Sequence, residues 1–201
     1  VGRIVAAMQA AAEEVGISVP STSAVRNVIG LGLPQALLAV FPSQPQPARD
    51  AMASAYARHY SAISVTPPEL FPGALEVLQV LRARGFELAV ATGKSRRGLD
   101  EVLLALGLDG YFDATRCADE TRSKPDPLML TELLSERTVA QGTAVMVGDS
   151  EYDLEMAANA GVPSVGVSFG VHSVQRLEMH RPVAIVDTLQ GLLELPCCGG
   201  R

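Results

Sequence analysis

The chain has 201 residues, 48% of them hydrophobic, with 22 acidic against 16 basic side chains and a net charge of -6. That suits one medium domain, or a core with a small accessory domain, with enough apolar side chain to bury a real core. The negative balance argues against nucleic acid or an anionic membrane as partner, and no apolar run approaches the roughly 20 residues of a membrane span.

The opening "VGRIVAAMQAAAEEVG" carries acids where the apolar region of a secretion signal should continue. A start on Val1 rather than Met reads as a processed, trimmed or incomplete sequence. Ile4, Met8, Ala11, Ala12 and Val15 share one helical face, and Gly16 is a helix stop. "STSAVRNVIG" begins with cap-type residues and "PQALLAVF" with proline; both read as helices. After the proline-broken "PSQPQP", "ARDAMASAYARHYSAI" is a further helix, so residues 1–65 read as an all-helical domain. Arg26, Gly30 and Gly32 fall there; the glycines either let backbone approach a ligand or simply separate two helices.

Residues 66–201 read differently. A turn and helix in "PPELFPGALEVLQVLRARG" lead to strand "FELAVAT", helix "SRRGLDEVLLALGL" and strand "YFDATRCAD". Helix "DPLMLTELLSER", strand "AVMVGD", helix "EYDLEMAANAG" and strand "PSVGVSFG" follow, then helix "VHSVQRLEMH", strand "VAIV" and helix "TLQGLLEL". Strands alternating with amphipathic helices predict an α/β fold with a parallel sheet covered on both faces. Cys117, Cys197 and Cys198 make no disulfide framework, which points to a reducing cytoplasm; the "LPCCGGR" pair reads as incidental thiols on a loose tail.

Ligands of such sheets sit at the carboxyl ends of the strands, and three strand ends stand out there. "AVATGKS" brings Thr92, Gly93 and Lys94; "SKPDP" brings Lys124; "VMVGDSEYD" brings Asp149 and Asp153. Each has a bland reading: a turn, a solvated helix start, and an Asp149 that caps the helix through Glu151 or Tyr152. Their convergence favours phosphoryl chemistry. A Thr92 hydroxyl and the amides after it can hold phosphate oxygens, Lys124 supplies a compact positive charge, and Asp149 is a hard oxygen ligand for Mg²⁺. Asp153, four residues on, faces the same way and can orient Lys124 or a metal-bound water. Arg96 and Arg97 either add positive potential or merely open a helix. His59, His172 and His180 have no metal spacing and read as surface or satisfied histidines.

"AVATGKS", "KPDP" and "VGDSEYDLEMAANAGVPSVGVSFG" resemble the second, third and fourth motifs of the haloacid dehalogenase superfamily, closest to its phosphoglycolate-phosphatase-like hydrolases. The helical start with "VRNVIGLGLPQAL" is similar to that group's α-helical cap. The resemblance implies a Rossmannoid core with a cap domain, Thr92 and Lys124 on phosphate, Mg²⁺ on Asp149, and Asp153 as the supporting acid. It implies catalysis through an aspartyl-phosphate, on a small phosphorylated metabolite such as phosphoglycolate. The family's nucleophile lies in an Asp-x-Asp-Gly-Thr motif ending the first strand. No such motif occurs here; Asp109-Gly110 reads as a turn. A core lacking that central strand is expected to show two exposed edges and a gap. The rival expectation is a non-catalytic protein that keeps a phosphate- or partner-binding surface. A phospho-receiver domain is disfavoured by order, since receivers place their acids first and Asp149 comes last.

Overall fold

The computed structural model describes residues 1–63 and 69–198. By contacts the chain divides into two units, Val1–Pro67 and Pro68–Arg201. The boundary expected at residue 65 lies outside the described residues.

The first unit is helical: α1 (Gly2–Val15), α2 (Thr22–Asn27), α3 (Leu33–Val40) and α4 (Gln46–Ile63). Gly16 ends α1 in the left-handed conformation, as a stop should, and Ser21 caps α2 by accepting the Ala24 N–H at 3.2 Å. Ala7, Ala11 and Ala12 are buried on α1, and Ala55 on α4. Small side chains of this kind let helix backbones approach, while Met8, Leu37 and Met52 fill the space between. Burying each of these larger side chains is worth about 1.5–3 kcal/mol.

The second unit alternates helix and strand. It runs α5 (Ala74–Ala83), β1 (Ala89–Thr92), α6 (Arg96–Ala105), β2 (Ala114–Cys117) and α7 (Leu128–Arg137), then β3 (Met146–Gly148), α8 (Glu151–Asn159), β4 (Ser164–Val167), α9 (Val174–Glu178) and β5 (Ala184–Val186). All pairings are parallel, as the alternation predicts. The strands form two sheets rather than one, β1–β2 and β3–β4–β5. Ala91 of β1 and Met146 of β3 pack on the same apolar cluster, so the sheets share a core although no ladder joins them. β1 and β3 therefore each keep one edge without a strand partner among the described residues, and Val147 on β3 is 36% exposed.

Two expectations need correction. The last helix is only a 3₁₀ turn, Gln190–Glu194, interrupted by Gly191, a residue that weakens longer α-helices. The tail is not loose as far as Cys198: Arg84, at the end of α5, donates to the carbonyls of Leu193 (3.0 Å) and Cys198 (2.8 Å). Cys198 is buried, and burial raises its thiol to about 11.

Candidate active site

The turn from β3 into α8 is built around Ser150 and Asp153. Ser150 caps α8 by accepting the Asp153 N–H at 3.4 Å. The Asp153 carboxylate returns the contact, taking the Ser150 N–H at 3.1 Å and its hydroxyl at 2.7 Å. This capping box satisfies two orphan amides reciprocally. The cap is thus Ser150 and not Asp149, because the box needs its acid three residues on, and only Ser150 has Asp153 there. Asp149 is left free of capping duty.

Asp153 has a second partner. Its Oδ1 accepts from Lys124 Nζ at 2.5 Å, with both side chains only 7% exposed. A buried ion pair is tolerated when the remaining lone pairs are satisfied, and Ser150 satisfies those of Oδ2. Lys124 follows β2 and Asp153 follows β3, so this bond places the carboxyl ends of both strands on one side of the molecule. The close approach requires glycine at the end of β3: a Cβ on Gly148 would stand 2.2 Å from the Asp153 Cβ.

Asp149 is clasped by the loop after β4. Its Oδ2 accepts the Val171 N–H at 3.1 Å, and its main-chain oxygen accepts the His172 N–H at 3.1 Å. A Cβ on Gly170 would fall 2.0 Å from the Asp149 Cβ, so only glycine lets that loop pass. Burial raises the Asp149 carboxyl above the ordinary range, and the Asp153 charge adds to this. The Val171 amide and Lys124 pull it partly back. What remains is a half-buried carboxylate whose charge is only partly compensated, a position that favours a cation.

At the end of β1, Thr92 pairs in register with Cys117, and its Oγ1 accepts the Lys94 N–H at 3.2 Å. The Lys94 carbonyl accepts the Ala118 N–H at 3.0 Å, which ties this loop to the one after β2. Arg96 is absorbed by Glu120 (2.8 and 2.7 Å) and Asp100 (3.2 Å), and Arg97 by Glu101 (2.8 Å). The hydrogen bond from Arg96 holds the Glu120 carboxyl at about 2. The two arginines therefore brace a helix start, and the positive potential considered for them is locally cancelled.

The structure brings together Lys124, Ser150, Asp153 and Asp149. Thr92, Gly93 and Lys94 stand one loop away, joined through the Lys94–Ala118 backbone bond; among the described residues Thr92 makes no hydrogen bond to Lys124 or Asp149. Sequence reasoning missed Ser150, Gly170, Val171 and His172. A signal for Ser150 was present in the Ser-x-x-Asp spacing. His59 does sit in a plain surface pair, 2.8 Å from Glu14. A groove of about 550 Å³ along Thr131, Leu134, Ser135, Thr138 and Gln141 has no charged side chain and lies apart from these residues.

Among the described residues no three His, Cys, Asp or Glu side chains converge on a point. A cation here would rest on one carboxylate plus oxygens from ligand and water. That is the donor set Mg²⁺ accepts, since it binds through one or two carboxylates and retains water. The single hard oxygen donor at Asp149, poorly neutralised by its surroundings, fits that ion.

Four similarities bear on the site. The family model described as haloacid dehalogenase-like hydrolase matches residues 2–167. A Dickeya dadantii protein named "Probable phosphatase IndB" is 34% identical over 192 residues, covering 92% of this chain and 82% of that protein. A phosphoglycolate phosphatase of Shigella boydii is 32% identical over 140 residues, 68% of this chain; the match spans only 54% of that relative's length. The crystal structure of a hydrolase from Pseudomonas syringae superposes with a TM-score of 0.86 at 20% identity, covering 96% of this chain and 90% of that one. The fold is thereby shown to be that of the haloacid dehalogenase-like hydrolases.

Proposed function

We propose that this chain, which belongs to the haloacid dehalogenase-like hydrolase family, binds the phosphoryl group and Mg²⁺ of a phosphomonoesterase acting on a small phosphorylated metabolite. The observation that carries the reading is the buried 2.5 Å pair of Lys124 and Asp153 beside a poorly neutralised Asp149. The ammonium has three donors and spends one on Asp153, which leaves two for phosphate oxygens. Thr92 accepts from Lys94 through its oxygen, so its own proton is available to donate to phosphate. Asp149 would hold Mg²⁺, which when bound supplies positive charge to the phosphoryl oxygens. Asp153 aims Lys124 and, through the capping box, fixes the start of α8.

Phosphoglycolate is the substrate this reading favours, by likeness to the relatives named above. Residues 1–65 would act as the cap that excludes water over the substrate. A cytoplasmic setting is part of the same reading. The chemistry needs a nucleophilic aspartate on a strand before the cap. No Asp-x-Asp-Gly-Thr occurs in these 201 residues, and the open edges of β1 and β3 suit such a strand.

The test is hydrolysis of p-nitrophenyl phosphate with Mg²⁺, by the chain itself and by the chain preceded by a strand ending in Asp-x-Asp-Gly-Thr. Turnover is expected only in the second case, and is expected to vanish with Lys124→Ala. Equal turnover in both, or turnover indifferent to Lys124→Ala, defeats the proposal.

A further inference from the structure

His172 is a buried histidine, 4% exposed, in the loop after β4. Three hydrogen bonds link this loop to three atoms at the β3–α8 turn. Val171 N–H reaches the Asp149 carboxylate at 3.1 Å, and His172 N–H reaches the Asp149 carbonyl at 3.1 Å. In the opposite sense, Glu151 N–H donates to His172 Nδ1 at 3.0 Å. Glu151 is the first residue of α8, and its amide is one of the orphan donors at a helix start. Ser150 serves the amide of Asp153, and the imidazole serves that of Glu151. A leucine would fill this position more cheaply than a buried imidazole if filling were the whole purpose. The ring also stands edge-on to Tyr152, with centroids 5.6 Å apart, which fixes its plane.

We propose that His172 is a positioning residue for Asp149: its Nδ1 clamps the loop onto the β3–α8 turn, and the clamp holds the Val171 amide against the carboxylate. This rests on the metal role given to Asp149 above. The clamp orients one carboxylate oxygen and leaves the other to face a cation. Partners of this kind, one step removed from a metal, typically govern affinity by 10–100-fold when lost. Gly170 belongs to the same device, since any side chain there would drive the loop off Asp149.

Two substitutions separate clamping from packing. In His172→Asn the side-chain oxygen takes the place of Nδ1 and can still accept from Glu151, whereas His172→Leu fills the space with no acceptor. Magnesium chloride is titrated into each by calorimetry, and amide exchange is followed without metal. His172→Leu is expected to speed exchange at Val171 and Glu151 and to weaken Mg²⁺ binding about tenfold or more, with His172→Asn near wild type in both. Asn and Leu behaving alike, or an undisturbed Val171 amide in His172→Leu, overturns the clamp. Asp149→Asn distinguishes the two levels. Mg²⁺ uptake that survives Asp149→Asn overturns the metal role and the positioning proposal with it. Uptake lost in Asp149→Asn but intact in His172→Leu overturns the positioning proposal alone.

Discussion

The helical unit and the α/β unit bury different things. Every buried side chain among the described residues of the helical unit is apolar, from Val5 to Ala55. Among the described residues, the buried polar side chains all lie in the α/β unit: Ser123, Lys124, Ser150, Asp153, Ser164 and His172. Ser123, Lys124, Ser150 and His172 sit in loops that follow β2, β3 or β4, and Asp153 in the first turn of α8; Ser164 opens β4. An apolar interior is inexpensive to assemble, whereas each buried charge must be matched by a partner. The α/β unit accepts that cost at one end of its strands and nowhere else, which is the mark of a site rather than of a core.

The contrast is broken most severely at Lys124. Lys124→Ala leaves Asp153 charged and buried, and a loss of about 3–5 kcal/mol is expected, read by denaturant unfolding. Replacing both partners, Lys124→Met with Asp153→Asn, should recover most of it, because the neutral pair has no charge to desolvate and the Asn oxygen still accepts from Ser150. Recovery would show the pair to be a cost retained for chemistry; its absence would make the pair structural.

In the helical unit the corresponding experiment is Met52→Ala. Met52 is fully buried on α4, and about 2–5 kcal/mol should be lost through cavity formation. This loss should be the same with and without Mg²⁺, unlike any change at Asp149.

The smallest effects sharpen the comparison by sign. Asp149 has a folded pKa above its unfolded value, so the native state holds the proton more tightly. Its contribution turns unfavourable as pH rises from the unfolded pKa through the folded one. Asp149→Asn should therefore raise the neutral-pH melting temperature of the metal-free chain and change little at acid pH, where both side chains are neutral. Glu120 has the opposite sign. Its pKa is held at about 2 by Arg96, so its stabilisation is present above the unfolded value and lost as pH falls toward 2. Glu120→Gln should lower stability near neutrality and converge with wild type in acid; the surface position of the pair makes this the weakest effect. Melting curves from acid to neutral pH would read both.

Most of the elements were legible because their cause is local. Gly16 stops α1, Pro34 opens α3, and the strand Ser164–Val167 is buried at every position. Lys124, Asp149 and Asp153 were legible as residue types at strand ends. What escaped depends on contacts distant in sequence. Nothing local to His172 says that it accepts an amide 21 residues earlier. Nothing in the tail says that Arg84, 114 residues back, will pin Cys198. Two features do have a local signal: the Ser150-x-x-Asp153 spacing marks the cap of α8, and Gly191 weakens "TLQGLLEL" as a helix. The split of the strands into two sheets is a matter of pairing, on which periodicity is silent.

Those two sheets leave the molecule with adhesive borders. Among the described residues the outer edges of β1 and β3 have no ladder to complete, and Val147 adds an apolar foothold. Bare rims of this sort recruit whatever extended backbone comes within reach, including that of a sister molecule. In concentrated solution, self-association is expected along the same seam, between the Asp149 loop and the Thr92 loop.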